Sequence, residues 1–96
     1  KNFLVKISDI NIADNYLEKY KGTDGILQGV IDLYFEENDG LILIDYKTDY
    51  AKNDEELIDK YEQQILLYKS ALEIIEEKPV KETYIYSFYL EKFIKI

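Results

Sequence analysis

The sequence predicts a mixed α/β fold, in which one long helix packs on a central mixed β-sheet. Two apolar runs, residues 30–35 and 41–44, flank an Asn-Asp-Gly turn signal, which is typical of a β-hairpin. Residues 53–77 carry an apolar stripe with the three- and four-residue spacing of a helix. Residues 80–90 are rich in the β-branched and aromatic side chains that favour strands.

The chain begins with residues 2–8, whose partial alternation of apolar and polar side chains predicts a short strand. Residues 9–20 have apolar side chains at helical spacing and predict a short helix, which a turn at residues 21–25 ends. Residues 26–36 are expected to form the first hairpin strand. The second contains residues 41–44, which are apolar on both faces and therefore indicate an interior strand.

The predicted hairpin brings three charged side chains together. If residues 39–40 are the two central turn residues, Asp32 lies opposite Lys47. Asp45 then lies on the same face, diagonal to Asp32, at about 7–8 Å between backbones. A turn on residues 38–39 instead shifts the register by two and preserves this face, because side chains alternate with a period of two.

Two interpretations of this charged patch remain open. Asp45 and Lys47 prolong an apolar strand, so part of the patch is expected to be shielded from water. Two shielded carboxylates repel each other and favour protonation unless a divalent cation lies between them. Carboxylate oxygens are the ligands that Mg²⁺ and Mn²⁺ prefer. The other interpretation is a salt bridge between aspartate and lysine at a strand end that faces water.

The long helix has recognisable ends and an apolar face. Asn53 followed by Glu56 indicates an N-cap with an acidic residue three positions later. Lys78 and Pro79 end the helix. The apolar stripe consists of Leu57, Tyr61, Ile65, Tyr68, Leu72 and Ile75.

Polar groups within this stripe are expected to reach the charged patch. Gln64 falls inside the stripe, and Tyr61 and Tyr68 occupy neighbouring turns of the same face. A buried amide needs hydrogen-bond partners, so these polar tips are expected at the sheet end that carries Asp45 and Lys47. Core packing with a satisfied glutamine is the alternative.

The C-terminal part is expected to add a strand over residues 80–90 and, after a turn, a short one over residues 93–96. Its aromatic residues also suit base stacking, but basic residues are not interleaved with them. Core and sheet packing is therefore the preferred interpretation.

The composition excludes several classes of protein. The 96 residues, of which 47% are hydrophobic, are enough for one small domain with one core. The absence of cysteine and histidine excludes disulfides, thiolate metal sites and Ser-His-Asp triads within this chain. No apolar run reaches the length of about 18 residues that spans a bilayer, and no signal peptide is visible, so no membrane association and a cytosolic location are expected.

The net charge of −8 has the wrong sign for an autonomous DNA-binding module. It is compatible with a catalytic domain whose acidic site is offset by a bound metal and whose DNA is delivered by a larger machine. The chain contains no methionine, even at position 1, and is therefore expected to be a piece of a longer protein.

Two segments carry a resemblance to a known family. Residues 29–49, GVIDLYFEENDGLILIDYKTD, and residues 61–72, YEQQILLYKSAL, resemble the nuclease domain at the C-terminus of the bacterial AddA/RecB helicase–nucleases, which belong to the PD-(D/E)XK superfamily. The AddA branch is the nearer fit. A lone D-x-K is a weak signal, whereas the hairpin aspartate, D-Y-K-T-D and Q-x-x-x-Y in this order are strong together.

The resemblance implies a restriction-endonuclease-like core and a metal-dependent deoxyribonuclease site. It implies that Asp32, Asp45 and the backbone carbonyl of Tyr46 hold Mg²⁺, for which Mn²⁺ can substitute. Lys47 would orient or activate the attacking water, or stabilise the transition state. All three charged residues are thus candidate catalytic residues.

The same resemblance assigns supporting roles to Gln64 and Tyr68, and the position of Tyr61 on the same helix face adds a third candidate. Gln64 and Tyr68 correspond to the Q-x-x-x-Y motif, which supports the active site and the DNA strand, and Tyr61 is expected to assist them. Asp49 is expected to order the following loop through turn or cap hydrogen bonds rather than to bind metal. Family members usually draw a further metal ligand, His or Glu, from an upstream helix. This chain lacks that helix, so residues 1–96 are expected to be one incomplete nuclease domain that cuts little in isolation.

At the level of the whole protein, the resemblance implies an exonuclease of an ATP-dependent helicase–nuclease in the bacterial cytoplasm. It would act in double-strand break repair and recombination, on single strands of DNA delivered by the helicase motor and beside an AddB-like partner. Two alternatives stand beside it. One is a catalytically silent nuclease-fold module that serves assembly or DNA guidance, and the other is a stand-alone PD-(D/E)XK repair or phage exonuclease.

Overall fold

A computed structural model describes residues 1–6 and 26–96. These residues form, in chain order, β1 (Asn2–Lys6), β2 (Ile26–Val30), β3 (Leu33–Glu37), β4 (Gly40–Lys47), α1 (Asp54–Glu76), β5 (Val80–Ser87) and β6 (Lys92–Lys95). The larger sheet has the order β3-β4-β5-β6, and β1 pairs with β2 in a separate sheet. Strand β4 is antiparallel to β3 and parallel to β5, with α1 as the crossover between β4 and β5. The predicted fold class is therefore confirmed.

Helix α1 packs on one face of the larger sheet through two groups of buried apolar side chains. Leu43 of β4 and Leu72 of α1 belong to one group, and Ile85 of β5 and Ile65 of α1 belong to the other. All four side chains are fully buried. Burial of one such side chain contributes about 1.5–3 kcal/mol, so this interface holds the end of β4 at a fixed position relative to α1.

The ends of α1 agree with the prediction to within one residue. The side chain of Asn53 accepts a hydrogen bond from the backbone N–H of Glu56 at 3.0 Å, as an N-cap does. At the other end Glu77 takes a left-handed conformation with φ 55°, and its N–H donates to the carbonyl of Glu73 at 3.0 Å. Pro79 follows two residues later and cannot continue the helix.

The hairpin turn lies one residue earlier than in the first of the two predicted registers. Glu37 pairs with Gly40, so residues 38–39 form the turn, and the expectation that Asp32 faces Lys47 is wrong. Asn38 takes the left-handed conformation, with φ 55°, which asparagine tolerates better than most residues. Gly40 is a strand residue, where a Cβ would lie 3.1 Å from the Cβ of Lys81.

The predicted first hairpin strand, residues 26–36, is wrong as a single element. It breaks after Val30, because β2 pairs with β1 whereas β3 pairs with β4. Ile31, between the two, is buried, and its N–H donates to the carbonyl of Lys1 at 2.7 Å. The break places Asp32 just outside the β3–β4 ladder.

The remaining predictions concern the two ends of the chain. The first predicted strand, residues 2–8, corresponds to β1 over its described residues. The predicted short helix at residues 9–20 and the predicted turn at residues 21–25 lie outside the described residues. The two C-terminal strands form, but the first ends at Ser87 and not at residue 90. Among the described residues, no helix is long and apolar enough to cross a membrane.

Candidate active site

Asp45 lies near the end of β4 with its side chain turned toward α1, and it is only 4% exposed. Lys47, two residues further on the same face, places its ammonium 3.0 Å from Asp45 Oδ2. The geometry of this contact is poor for a hydrogen bond, and among the described residues this buried oxygen has no well-oriented donor. Asp45 therefore carries an acceptor that the protein itself only partly satisfies, which is costly for a buried group.

Asp32 reaches the same place from the other side of the hairpin. Because β3 has already ended, the N–H of Tyr46 has no backbone partner on that strand, and Asp32 Oδ2 accepts its hydrogen bond at 2.9 Å. One step beyond the Leu33–Ile44 pair, the register brings Asp32 level with Asp45. The two carboxyl groups and Lys47 thus converge, although the pairing differs from the predicted one.

The environment of Asp45 raises its pKa to about 6. Burial is the main cause, followed by the neighbouring Asp32 carboxyl group, and Lys47 opposes both. The salt bridge of the alternative interpretation does form, but the Lys47 side chain is only 16% exposed, so the pair does not face open water. The site instead holds one buried acidic group, Asp45, and one exposed acidic group, Asp32, beside one ammonium, so the expected shielding applies to Asp45 and not to Asp32.

Helix α1 supplies the other side of the site. Gln64 Oε1 accepts a hydrogen bond from the Lys47 ammonium at 2.9 Å. The ring of Tyr61, one turn earlier, lies with its centroid 4.0 Å from the same nitrogen. The predicted approach of Gln64 and Tyr61 to the sheet end that carries Asp45 and Lys47 is what the structure describes.

Tyr68 lies against β1 and β2, where a glycine makes room for it. Its ring meets the ring of Phe3 edge to face, with centroids 5.1 Å apart. A Cβ at Gly29 would lie 3.0 Å from the Tyr68 hydroxyl and 2.8 Å from the Phe3 ring. Burial, and next the charge of Asp45, raises the pKa of Tyr68, so the hydroxyl stays neutral and able to donate.

Asp49 makes contacts that the sequence did not predict. Its Oδ2 accepts a hydrogen bond from the Tyr61 hydroxyl and pairs with the Lys60 ammonium, both at 2.6 Å. These bonds to α1 go beyond the expected turn or cap hydrogen bonds, because the loop after β4 folds back on the helix. Tyr61 falls in a regular apolar stripe, and no local pattern pairs it with an aspartate twelve residues earlier.

The donor set fits a hard divalent cation. Asp32 and Asp45 offer carboxylate oxygens, and Oδ2 of Asp45 is buried without a well-oriented donor among residues 1–6 and 26–96. Mg²⁺ is commonly bound by one or two carboxylates, with water at its other positions. Within residues 1–6 and 26–96, no group of three or more acidic, histidine or cysteine side chains is placed to hold a metal. Any protein-based ligand beyond the two aspartates would therefore be a backbone oxygen or would come from elsewhere.

Comparison with known proteins agrees with this donor chemistry. The model of the PD-(D/E)XK nuclease superfamily matches residues 6–92. The chain therefore belongs to the PD-(D/E)XK nuclease superfamily, as its motifs predicted.

Two relatives give a more specific similarity. The chain is 50% identical over 97 residues to an ATP-dependent helicase/nuclease subunit of Clostridium perfringens (strain SM101 / Type A), and the match covers 98% of the chain and 8% of that protein. It is 53% identical over 79 residues to the protein of the same name from Clostridium botulinum (strain Okra / Type B1), and this match covers 82% of the chain and 6% of that protein. The chain thus spans less than a tenth of the length of these relatives. The predicted similarity to AddA proteins is confirmed, whereas the expected C-terminal position is not supported by these matches.

Proposed function

We propose that this chain is the nuclease unit of an ATP-dependent helicase–nuclease and that it hydrolyses DNA phosphodiester bonds with Mg²⁺. The observation that carries the proposal is the convergence of the buried Asp45 carboxyl group, the exposed Asp32 carboxyl group and the Lys47 ammonium at the end of β4. Nucleases of this superfamily generally depend on divalent metals. Mn²⁺ is the expected substitute, because it prefers the same oxygen ligands.

Asp32, Asp45 and the backbone carbonyl of Tyr46 would hold the cation. When bound, the cation supplies a water of lowered pKa and offsets the negative charge that develops on the phosphate oxygens. Both aspartates must be ionised to bind the cation. The pKa of Asp45, although raised to about 6, leaves this group ionised at neutral pH. Asp32 is held by the N–H of Tyr46, which fixes its orientation toward Asp45.

Lys47 presents a charged donor to the reacting phosphate. An ammonium has three N–H donors, and Asp45 and Gln64 engage at most two of them. The remaining donor is available for the attacking water or a phosphate oxygen. A charge held in a shielded site acts more strongly on the transition state than one in water. Gln64 is then a positioning residue for Lys47, and Tyr68 supports the same side of the site, near the DNA strand.

The wider role follows from the names of the relatives. Both are ATP-dependent helicase/nuclease subunits. We therefore infer that this nuclease unit acts as an exonuclease on single strands that a helicase motor delivers, beside an AddB-like partner, in recombination and the repair of double-strand breaks in the bacterial cytoplasm. The net charge of −8 agrees with delivery by the motor, since the chain itself attracts DNA poorly.

A catalytically silent module is the second candidate. It is favoured by one observation, that the described residues offer two acidic ligands and no third. Such a module would keep the fold and its place in the assembly but would not cut DNA.

Cleavage by variants of the intact protein separates the two candidates. Asp45→Ala and Lys47→Ala should each abolish DNA cleavage while DNA-dependent ATP hydrolysis and unwinding continue. Asp59→Ala is the matched control, because Asp59 is an exposed acidic residue of α1, and it should cut normally. Cleavage at the wild-type rate by Asp45→Ala would reject the proposed site, and a wild-type protein that never cuts would favour the silent module.

A further inference from the structure

Asp49 lies at the end of a series of contacts that leads to Lys47. Its Oδ2 accepts the hydrogen bond of the Tyr61 hydroxyl at 2.6 Å. The ring of Tyr61 in turn lies with its centroid 4.0 Å from the Lys47 ammonium. The proposed mechanism gives Asp49 no role, and neither of the partners described for its Oδ2 is a catalytic residue.

We propose that Asp49 is a positioning residue that sets the place of the Lys47 ammonium through the ring of Tyr61. The inference rests on the proposed function, because it assigns Lys47 to the reaction. Asp49 acts on the orientation of a side chain two residues before it in the chain and needs no contact with metal or DNA.

The physical basis is the attraction between an ammonium and the face of an aromatic ring. A cation is attracted when it lies within about 6 Å of the ring centroid, and Lys47 is well inside this limit. A tyrosine hydroxyl that donates to a carboxylate gains electron density on its ring, which strengthens this attraction. The same hydrogen bond fixes the tilt of the ring, so Asp49 affects both the strength and the direction of the contact.

Lys47 needs such support because its side chain is long and flexible. Asp45 holds the ammonium from its own strand, and Gln64 holds it from α1. Tyr61 lies three residues before Gln64 on the same helix face, where such neighbours are adjacent. The ring thus covers a third side of the ammonium, and Tyr61 is in turn anchored by Asp49 on the loop after β4.

The charge of Asp49 is well maintained. Lys60 first, and then the Tyr61 hydroxyl, holds the pKa of Asp49 below its ordinary value. The Lys60 side chain is 60% exposed, so water screens this pair, and the hydrogen bond from Tyr61 holds the carboxylate near α1 without it. Lys60→Gln therefore offers a control, because it removes the other contact of this carboxylate oxygen and an exposed ammonium 5.2 Å from the Tyr61 ring centroid but leaves the Tyr61 hydrogen bond in place.

Kinetics on variants of the intact protein form the first test. Asp49→Asn and Tyr61→Phe both remove the charged anchor of the ring and leave the ring itself in place. Each should lower kcat for DNA cleavage about 10-fold, since small misplacement of a catalytic group has effects up to about 100-fold. The KM for DNA should stay within about twofold, because no substrate contact is removed. Lys60→Gln should leave kcat within about twofold of the wild type.

Nuclear magnetic resonance of lysine-selectively ¹³C-labelled protein gives a readout that does not depend on cleavage. The ε-methylene protons of Lys47 lie near the Tyr61 ring and should resonate upfield of other lysines, and Lys47→Arg identifies their signal by its loss. Tyr61→Leu gives the chemical-shift position of these Lys47 protons when no aromatic ring lies beside them. In Asp49→Asn and Tyr61→Phe the signal should move toward that position, and in Lys60→Gln it should stay.

The outcomes are distinct. A lower kcat together with a moved Lys47 signal in both anchor variants supports the proposal. An unchanged kcat, or a lower kcat with an unmoved signal, overturns it, since Asp49 would then act without Lys47 or not at all. Should Asp49→Asn fail to fold, Tyr61→Phe alone decides. If Lys47→Ala cuts at the wild-type rate, the proposed function fails, whereas the signal still reports whether Asp49 positions Lys47.

Discussion

Replacement of Asp45 by asparagine should stabilise the fold at neutral pH. The pKa of this carboxyl group is raised from 3.8 to about 6, chiefly by burial. An acid whose pKa is raised in the folded state is disfavoured there once it ionises, so wild-type stability falls as the pH rises from about 3.8 to 6. The difference of about two pKa units corresponds to about 3 kcal/mol.

The net gain should be smaller than this figure. Asp32, whose charge contributes to the raised pKa, is exposed, so water screens part of the repulsion between the two carboxyl groups. We therefore expect Asp45→Asn to increase the free energy of unfolding of this region by about 1 kcal/mol at pH 7.5 and not at all at pH 3.5. DNA cleavage should be lost in the same variant, because an amide is a weaker ligand for a divalent cation than a carboxylate.

Amide hydrogen exchange of β4 in the intact, metal-free protein measures this quantity, because the buried strand exchanges only when the unit opens. Asp59→Asn, which changes an exposed acidic residue, is the control and should leave exchange unchanged. The reasoning fails if exchange of β4 becomes faster in Asp45→Asn at pH 7.5, or if the change is the same at both pH values.

Two further predictions concern metal binding and packing. Mg²⁺ affinity should weaken as the pH falls through about 6, because Asp45 then binds a proton in place of the metal. Isothermal titration calorimetry at pH 7.5 and at pH 5.0 measures the two affinities, and equal values would contradict the prediction. Gly29→Ala should destabilise the region by about 1–3 kcal/mol, because the new Cβ would lie 2.8 Å from the Phe3 ring and 3.0 Å from the Tyr68 hydroxyl. Hydrogen exchange of β1 and β2 should then become faster, and unchanged protection would show that the two side chains move aside freely.

The interior strand and the long helix could be predicted because their signals are local. Four consecutive apolar residues indicated that β4 is covered on both sides, and the N-cap at Asn53 and the Lys78-Pro79 pair bounded α1. Asp32, Asp45 and Lys47 lie together as predicted, although the first of the two predicted hairpin registers was wrong. A shift of two residues changes which residues are opposite and leaves each side chain on its face.

The break between β2 and β3 could not be predicted, because it depends on a distant part of the chain. Residues 26–36 are compatible with one strand, and only pairing with β1 and the hydrogen bond from Ile31 to Lys1 divide them. The contact between Asp49 and Tyr61 is of the same kind, since it forms only when the loop after β4 meets α1. Pairings between distant segments have no local signal in a single sequence.

Anomalous diffraction from crystals of the intact protein with Mn²⁺ tests the proposed metal site most directly. We expect a peak between the carboxyl groups of Asp32 and Asp45, with the Lys47 ammonium beside it. Ordered aspartates with no peak at saturating Mn²⁺, or a peak bound by other residues alone, would contradict the assignment.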